Sequence, residues 1–202
     1  MNTHTFKKPE TSLVNRGLLA LTVLLMSFAT AIAYSATPTK ASGASIELRE
    51  ELKDHLHTLD TLVARNESRT DIPLEDRVVV VTFFASWCPP CLKEFAALNS
   101  MLGQVGEDNV TVVAVNVFEE FDDNDATRMA KFLKTTQPVF DVLKGTDLSR
   151  ELFGNINRIP TLLIFDQSGE LAFDFIHARG ADKDSQTVNE EELLNVIKPL
   201  LL

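Results

Sequence analysis

Apolar positions along this chain recur with two periods, and the change of period marks out the elements. Between 45 and 67 they stand at 48, 52, 56, 59, 62 and 63 among Glu, Lys and Arg. That spacing near 3.6 predicts an amphipathic helix, with 58–62 alternatively opening a short hairpin. A polar loop containing Pro73 is expected over 66–76. Residues 78–84 then read VVVVTFF and residues 110–117 read VTVVAVNV, runs with no helical period. Continuous β-branched runs of that length predict strands buried on both faces. Helical spacing returns over 92–104 and 125–136, followed by a short extended piece at 139–143 and a short helix at 148–153. Residues 161–165 and 171–176 predict a hairpin turning at Gly169, and 190–202 a closing helix. This alternation predicts an α/β domain in which a central mixed sheet is flanked by helices, with an N-terminal extension.

One block fits neither period. Residues 17–33 read GLLALTVLLMSFATAIA, apolar all round and uncharged, after the basic residues Lys7, Lys8 and Arg16. A leader of this kind ending in Ala31-Ile32-Ala33, a small-x-small site, predicts an export signal, either cleaved or kept as an anchor. Basic residues before the block leave the N-terminus in the cytoplasm and the rest of the chain outside. The expected location is therefore periplasmic, or the extracytoplasmic face of the inner membrane. Membrane attachment is expected only where residues 17–33 are retained. The expected organisation is a signal peptide or anchor at 1–33, a linker and amphipathic helix at 34–70, and a globular domain at 71–202.

Charge narrows the partners. The 202 residues carry a formal net charge of −10, and loss of residues 1–33 leaves 16 basic against 28 acidic side chains. Without clustered cations to neutralise phosphates, nucleic acid is excluded as a partner. The acidic stretch Glu119, Glu120, Asp122, Asp123 and Asp125 does not have the spacing of a calcium loop and reads as a solvated turn. His55, His57 and the cysteines form a zinc set only on paper; the histidines read as surface residues, and His177 as structural. No metal site is expected.

The chain has two cysteines, Cys88 and Cys91, separated by two prolines. Exported domains stapled by disulfides usually carry more cysteines at wider spacing, so this pair points to chemistry. At a strand-to-helix junction, Cys88 sits where free N–H groups and the helix dipole stabilise a thiolate nucleophile. Cys91, one turn in, is placed to resolve the mixed disulfide. The thiols carry the electrons themselves, and no cofactor is expected. Pro89 and Pro90 remove two N–H donors near the Cys88 sulfur, which leans the pair toward reduction of its substrates. An oxidase or isomerase, or a carrier of Cu(I) or another soft metal, would use the same pair; the shortage of methionine around it counts against the carrier. Trp87, just before the nucleophile, is expected to shield it.

The segment Phe84-Ala85-Ser86-Trp87-Cys88-Pro89-Pro90-Cys91, continued by Leu92-Lys93-Glu94-Phe95, resembles the active-site segment of thioredoxin-like thiol-disulfide oxidoreductases of the TlpA/ResA type. The resemblance extends over about residues 72–200, through Arg158-Ile159-Pro160-Thr161, Asp166-Gln167-Ser168-Gly169 and Gly180. It implies a thioredoxin-like fold, reduction of disulfide-containing exported proteins, and a membrane thiol-reductant donor protein as partner. It also implies a cis Pro160 facing the cysteines and an Ile159 backbone that pairs with extended substrate. The family often carries an acid at the position of Glu94. Here that residue reads either as a proton-transfer partner of Cys91 or as a solvated surface side chain. The chain departs from thioredoxin itself at Thr82, where that protein has a buried acid six residues before the first cysteine.

Overall fold

The core is built around two strands buried from end to end. In the computed structural model these are β2 (Val78–Phe84) and β3 (Val110–Asn116), parallel neighbours buried along their whole length. Residues 46–65, 71–119, 125–178, 180 and 186–202 are described. The leader or anchor expected at 1–33 and the acids at 120, 122 and 123 lie outside them. No helix among the described residues is long and apolar enough to cross a membrane.

In chain order the elements are α1 (Glu50–Thr58), β1 (Asp60–Val63), β2, α2 (Pro89–Val105), β3, α3 (Asp125–Thr136), β4 (Asp141–Lys144), α4 (Asp147–Leu152), β5 (Thr161–Phe165), β6 (Leu171–Ile176) and α5 (Glu190–Leu200). The strands form one sheet in the order β1-β4-β3-β2-β5-β6. β4, β3 and β2 run parallel, while β1, β5 and β6 pair antiparallel, so the sheet is mixed as the pattern predicts.

The amphipathic helix predicted over 45–67 is shorter than its stripe. It stops at Thr58, whose hydroxyl donates to the His55 carbonyl at 2.7 Å, and Leu59 is extended. Asp60–Val63 then pairs with β4 as an edge strand, in place of either a helical end or a local hairpin. Thr58, Thr61 and Val63 are β-branched, with weak helix propensity, and the ladder to β4 outweighs the apolar spacing.

The pleat sorts the core into two layers. Val78, Val80 and Phe84 pack with residues of α2, α3 and α5 on one face. Val79, Val81 and Phe83 pack with Leu52 and Leu56 of α1 and with Phe153, just past α4, on the other. On the first face Phe95 of α2 meets three rings, Phe84, Phe132 and Phe140, at centroid distances of 4.7, 4.9 and 5.2 Å. These contacts fix the first turns of α2 against the sheet. The helix ends at Gly106, where φ is 77°, a conformation that disfavours any side chain. Because Phe95 is fully buried in this ring cluster, Phe95→Ala is expected to lower unfolding free energy by about 3–5 kcal/mol. Urea denaturation of the variant measures it, and a loss below about 1 kcal/mol would mean the cluster does not hold the helix.

Candidate active site

β2 delivers the chain at Phe84 to a short turn, and α2 begins five residues later. Cys88 is the N-cap of that helix: its backbone is extended, its N–H donates to the Ala85 carbonyl at 3.1 Å, and its sulfur accepts the N–H of Cys91 at 3.3 Å. Pro89 and Pro90 fill the first two helical positions, where a missing N–H costs nothing. The Cys91 amide is thus the first in the helix able to reach the sulfur. The cysteines form a disulfide with Cα atoms 5.4 Å apart. Cys91 is wholly buried, whereas Cys88 keeps 3% of its surface and lines a cleft of about 480 Å³. An incoming group meets Cys88 and not Cys91.

Glu94, one turn beyond Cys91, has no solvent exposure, so the solvated surface reading does not hold. Its Oε1 accepts the hydroxyl of Thr82, and its Oε2 the hydroxyl of Thr187 at 3.3 Å. The place where thioredoxin carries an acid on the strand is therefore occupied by a threonine that holds an acid from the helix. Burial pushes the Glu94 carboxyl up to about 7, while the hydrogen bonds from Thr82 and Thr187 pull it down. Thr82 Oγ1 also lies 3.4 Å from the Thr161 carbonyl. When Glu94 is ionised, Thr82 donates to it. When Glu94 is protonated, it can donate to Thr82, which turns its own hydrogen to Thr161. Both protonation states are satisfied without moving a heavy atom.

Sequence reasoning missed the loop after β3. Glu119, read as part of a solvated turn, accepts the N–H of Ser86, the Ser86 hydroxyl at 2.9 Å and Asn116 Nδ2 at 2.9 Å. The Val117 N–H donates to the Phe84 carbonyl at 2.8 Å, and Trp87 Nε1 to the Phe118 carbonyl at 2.7 Å. The strand-to-helix turn that carries Cys88 is thereby stitched to residues 116–119. Phe118 holds φ at 60°, a left-handed conformation unusual for a bulky residue, and its ring lies 4.7 Å from the Arg150 guanidinium carbon. An acidic run gives no sign that its first member points inward.

Trp87 is 42% exposed and lines the cleft with Cys88 and Ile159. The Ile159–Pro160 bond is cis. Pro160 is buried, and its carbonyl accepts the His177 N–H at 3.0 Å. Ile159 borders the cleft, and among the described residues its backbone N–H and carbonyl have no hydrogen-bond partner. His177 also lines the cleft, with Nδ1 held 3.1 Å from the Gln186 carbonyl, so it belongs to the site. His55 and His57 do not: both lie on α1, which packs on the opposite sheet face from α2. His55 bonds to Ser149 at 2.8 Å, and His57 to the Ile72 carbonyl at 3.1 Å.

A model of the AhpC/TSA family matches residues 57–177. The sporulation thiol-disulfide oxidoreductase A of Bacillus subtilis is 31% identical over 103 residues, which are 50% of this chain and 59% of that protein. The thiol-disulfide oxidoreductase ResA of Halalkalibacterium halodurans is 26% identical over 126 residues, 62% of this chain and 65% of its own length. The chain thus spans about three fifths of the length of these curated relatives. A solved thiol:disulfide interchange protein of the thioredoxin family, from Chlorobium tepidum, superposes with a TM-score of 0.52 at 22% identity, covering 64% of this chain and 83% of that one. The fold is thioredoxin-like, as the active-site segment implies.

The buried carboxyl makes stability depend on pH in a stated direction. Unfolded, Glu94 loses its proton near 4.5; in the native protein it does so at about 7. Between those values the native state holds a proton that the unfolded chain has released, so stability is fully present below the lower value and falls as pH rises through the higher. The oxidised protein is expected to lose on the order of 3 kcal/mol from this group between about pH 4.5 and pH 8. Urea denaturation across that range should show the loss in the wild type and a flatter profile in Glu94→Gln. Parallel profiles would assign the pH dependence to other groups.

Proposed function

The chain belongs to the AhpC/TSA family, and from that premise we propose that it is an extracytoplasmic thiol-disulfide oxidoreductase that reduces disulfides of exported proteins. The observation that carries this reading is the asymmetry of the cysteine pair: Cys88 caps α2 at the floor of an open cleft, and Cys91 is sealed behind it. A nucleophile must reach its substrate, and a resolving thiol must reach only the nucleophile.

In the reduced protein the Cys88 thiolate attacks one sulfur of a substrate disulfide. That S–S bond breaks, and the leaving sulfur departs with the electron pair and takes up a proton. Cys91 then loses its proton and attacks the Cys88 sulfur, displacing the second substrate sulfur as a thiol and closing the Cys88–Cys91 disulfide. Two electrons pass to the substrate. A membrane thiol-reductant protein restores the dithiol by the reverse exchange. Glu94, poised near neutrality one turn beyond Cys91 on α2, is the acceptor for the Cys91 proton. The unpaired backbone of Ile159 supports pairing with an extended substrate segment over the cleft, held between Trp87 and the cis-Pro160 turn.

Two features favour the reductive direction. The prolines at the first two helical positions leave few amides to stabilise a Cys88 thiolate, and the acid behind the pair adds no positive charge. Export rests on the leader at 17–33. The reduction potential of the Cys88–Cys91 pair, measured against glutathione, is expected near thioredoxin's value of about −270 mV; a value near about −120 mV would reverse the direction. Cys91→Ala is expected to accumulate a mixed disulfide through Cys88, and Cys88→Ser to abolish exchange.

A further inference from the structure

The cleft over Cys88 differs in charge from the chain that builds it. The protein carries −10 overall, yet among the described residues no carboxylate lines this cleft. Beside Cys88, its ionisable side chains among the described residues are Arg158 and His177; Trp87, Pro89, Pro90, Phe118, Asn157 and Ile159 carry no charge. The other arginines of the described residues are all held. Arg49 pairs with Glu47, Arg65 with Glu107 and Arg150 with Asp147, while Arg77 bonds to the Asp108 carbonyl and Arg128 to the Ser86 hydroxyl. Arg158 is exposed, and among the described residues its guanidinium has neither an ion pair nor a hydrogen bond.

Water satisfies an exposed guanidinium, but this one borders the cleft one residue before the backbone positioned to hold a substrate strand, with no ion pair to give up on meeting a carboxylate there. The N-terminus of the 17-residue helix α2 opens at Cys88 and adds positive potential on the same side. Glu119, next to the cleft residue Phe118, is taken up by the Ser86 amide and hydroxyl and by Asn116, and charges farther away than about 10 Å are screened at ordinary ionic strength. We propose that Arg158 is a specificity-determining residue that selects disulfides carrying a carboxylate close to the reacting sulfur. This proposal rests on the functional reading above for the reaction, but not for the binding preference. Two sources supply that chemistry: a protein segment with Asp or Glu beside its cysteine, and a small carboxylated disulfide. Guanidinium matches a carboxylate in a two-pronged hydrogen-bonded pair, which fixes the flanking residue and with it the register of the sulfur over Cys88.

The chain has a single tryptophan, and Trp87 lies in this cleft, so its fluorescence reports occupancy. The full-length oxidised protein is titrated at low salt with short peptides in which serine replaces the target cysteine, flanked by Glu or by Lys. The Glu peptide is expected to bind roughly two- to fivefold more tightly, with the advantage shrinking at high salt. Arg158→Lys should keep the order of affinities and Arg158→Glu should invert it. Equal affinities, an unchanged order in Arg158→Glu, or no response of Trp87 to either peptide would overturn the proposal. Because the serine peptides cannot exchange, this readout survives even if the pair proves inert toward disulfides. Loss of exchange alone would count against the functional reading. The cysteine versions of the peptides, oxidised and assayed with the reduced protein, should show the charge preference in KM and not in kcat. Glutathione disulfide distinguishes the sources: matching the Glu peptide in affinity, it assigns the subsite to small disulfides; binding more weakly, it assigns it to protein segments.

Discussion

Thr82 is the one polar side chain in a strand buried on both faces, and its hydroxyl must find partners inside the protein. It finds Glu94 on one side and the Thr161 carbonyl on the other. That junction ties together the three pieces from which the site is made: the central strand, the helix that begins at Cys88, and the strand that follows the cis-Pro160 turn. A buried carboxylate would ordinarily be a liability, since removing it from water costs several kcal/mol unless it is hydrogen-bonded or neutralised. Here two threonines supply hydrogen bonds, no cation among the described residues neutralises it, and the group remains titratable near neutrality. Burial raises its pKa and the two hydroxyls lower it, which leaves it in the range where it can give and take a proton. An arginine in place of Thr187 would fix the charge and silence it.

The second constraint lies at the surface end of the same strand. The turn that carries Cys88 has to be short, because the cysteine must cap the helix, and a short turn leaves amides without helical partners. Glu119 accepts the Ser86 amide and hydroxyl, and the Phe118 carbonyl accepts the Trp87 indole, from a loop more than 30 residues later in the chain. Phe118 adopts a left-handed backbone to do this. That conformation costs on the order of 1–2 kcal/mol for a residue with a side chain. The Trp87 indole on its carbonyl and the Arg150 guanidinium over its ring help to hold it. The wall of the cleft is therefore strained and pinned at once, which keeps the entrance to Cys88 open in one shape.

How much of this was legible in the chain follows from how local each signal is. The buried strands announce themselves because both faces of a central strand must be apolar, and VVVVTFF admits no other reading. The proline-flanked cysteines announce a helix start for equally local reasons. The end of α1 did not, because its apolar spacing continues past Thr58 while a strand more than 75 residues away competes for Asp60–Val63. Glu119 was misread for a similar reason: an acidic run is mostly solvated, and only the path of the turn at Ser86 decides that its first member faces inward. Glu94 lay between these cases. Its place on the Cys91 face of α2 was readable from spacing, but its burial depended on Thr187, 93 residues later. Local pattern reports what a segment can do, and the contacts that choose among its options are remote.

The prolines and the acid also act on the same quantity. A cysteine at a helix N-terminus is normally drawn toward its thiolate by several free amides, and a pair so stabilised takes electrons readily and gives them up poorly. Pro89 and Pro90 withdraw two of those amides, leaving the Cys91 N–H at 3.3 Å as the helical donor to the sulfur. Behind the pair, Glu94 becomes negative as pH rises through about 7, and that charge opposes a second negative charge nearby. Either effect alone would be modest, but both make the reduced pair less comfortable than the disulfide, which is the condition for passing electrons on. On the proposed mechanism, replacing Glu94 by a permanently charged or a permanently neutral group would carry a loss. A fixed charge would repel the thiolate at every stage, and a neutral amide could not accept the proton that Cys91 must release. On that mechanism, the need for a group that changes charge at the moment of exchange would account for a carboxyl kept dry and bonded, among the described residues, to two threonine hydroxyls.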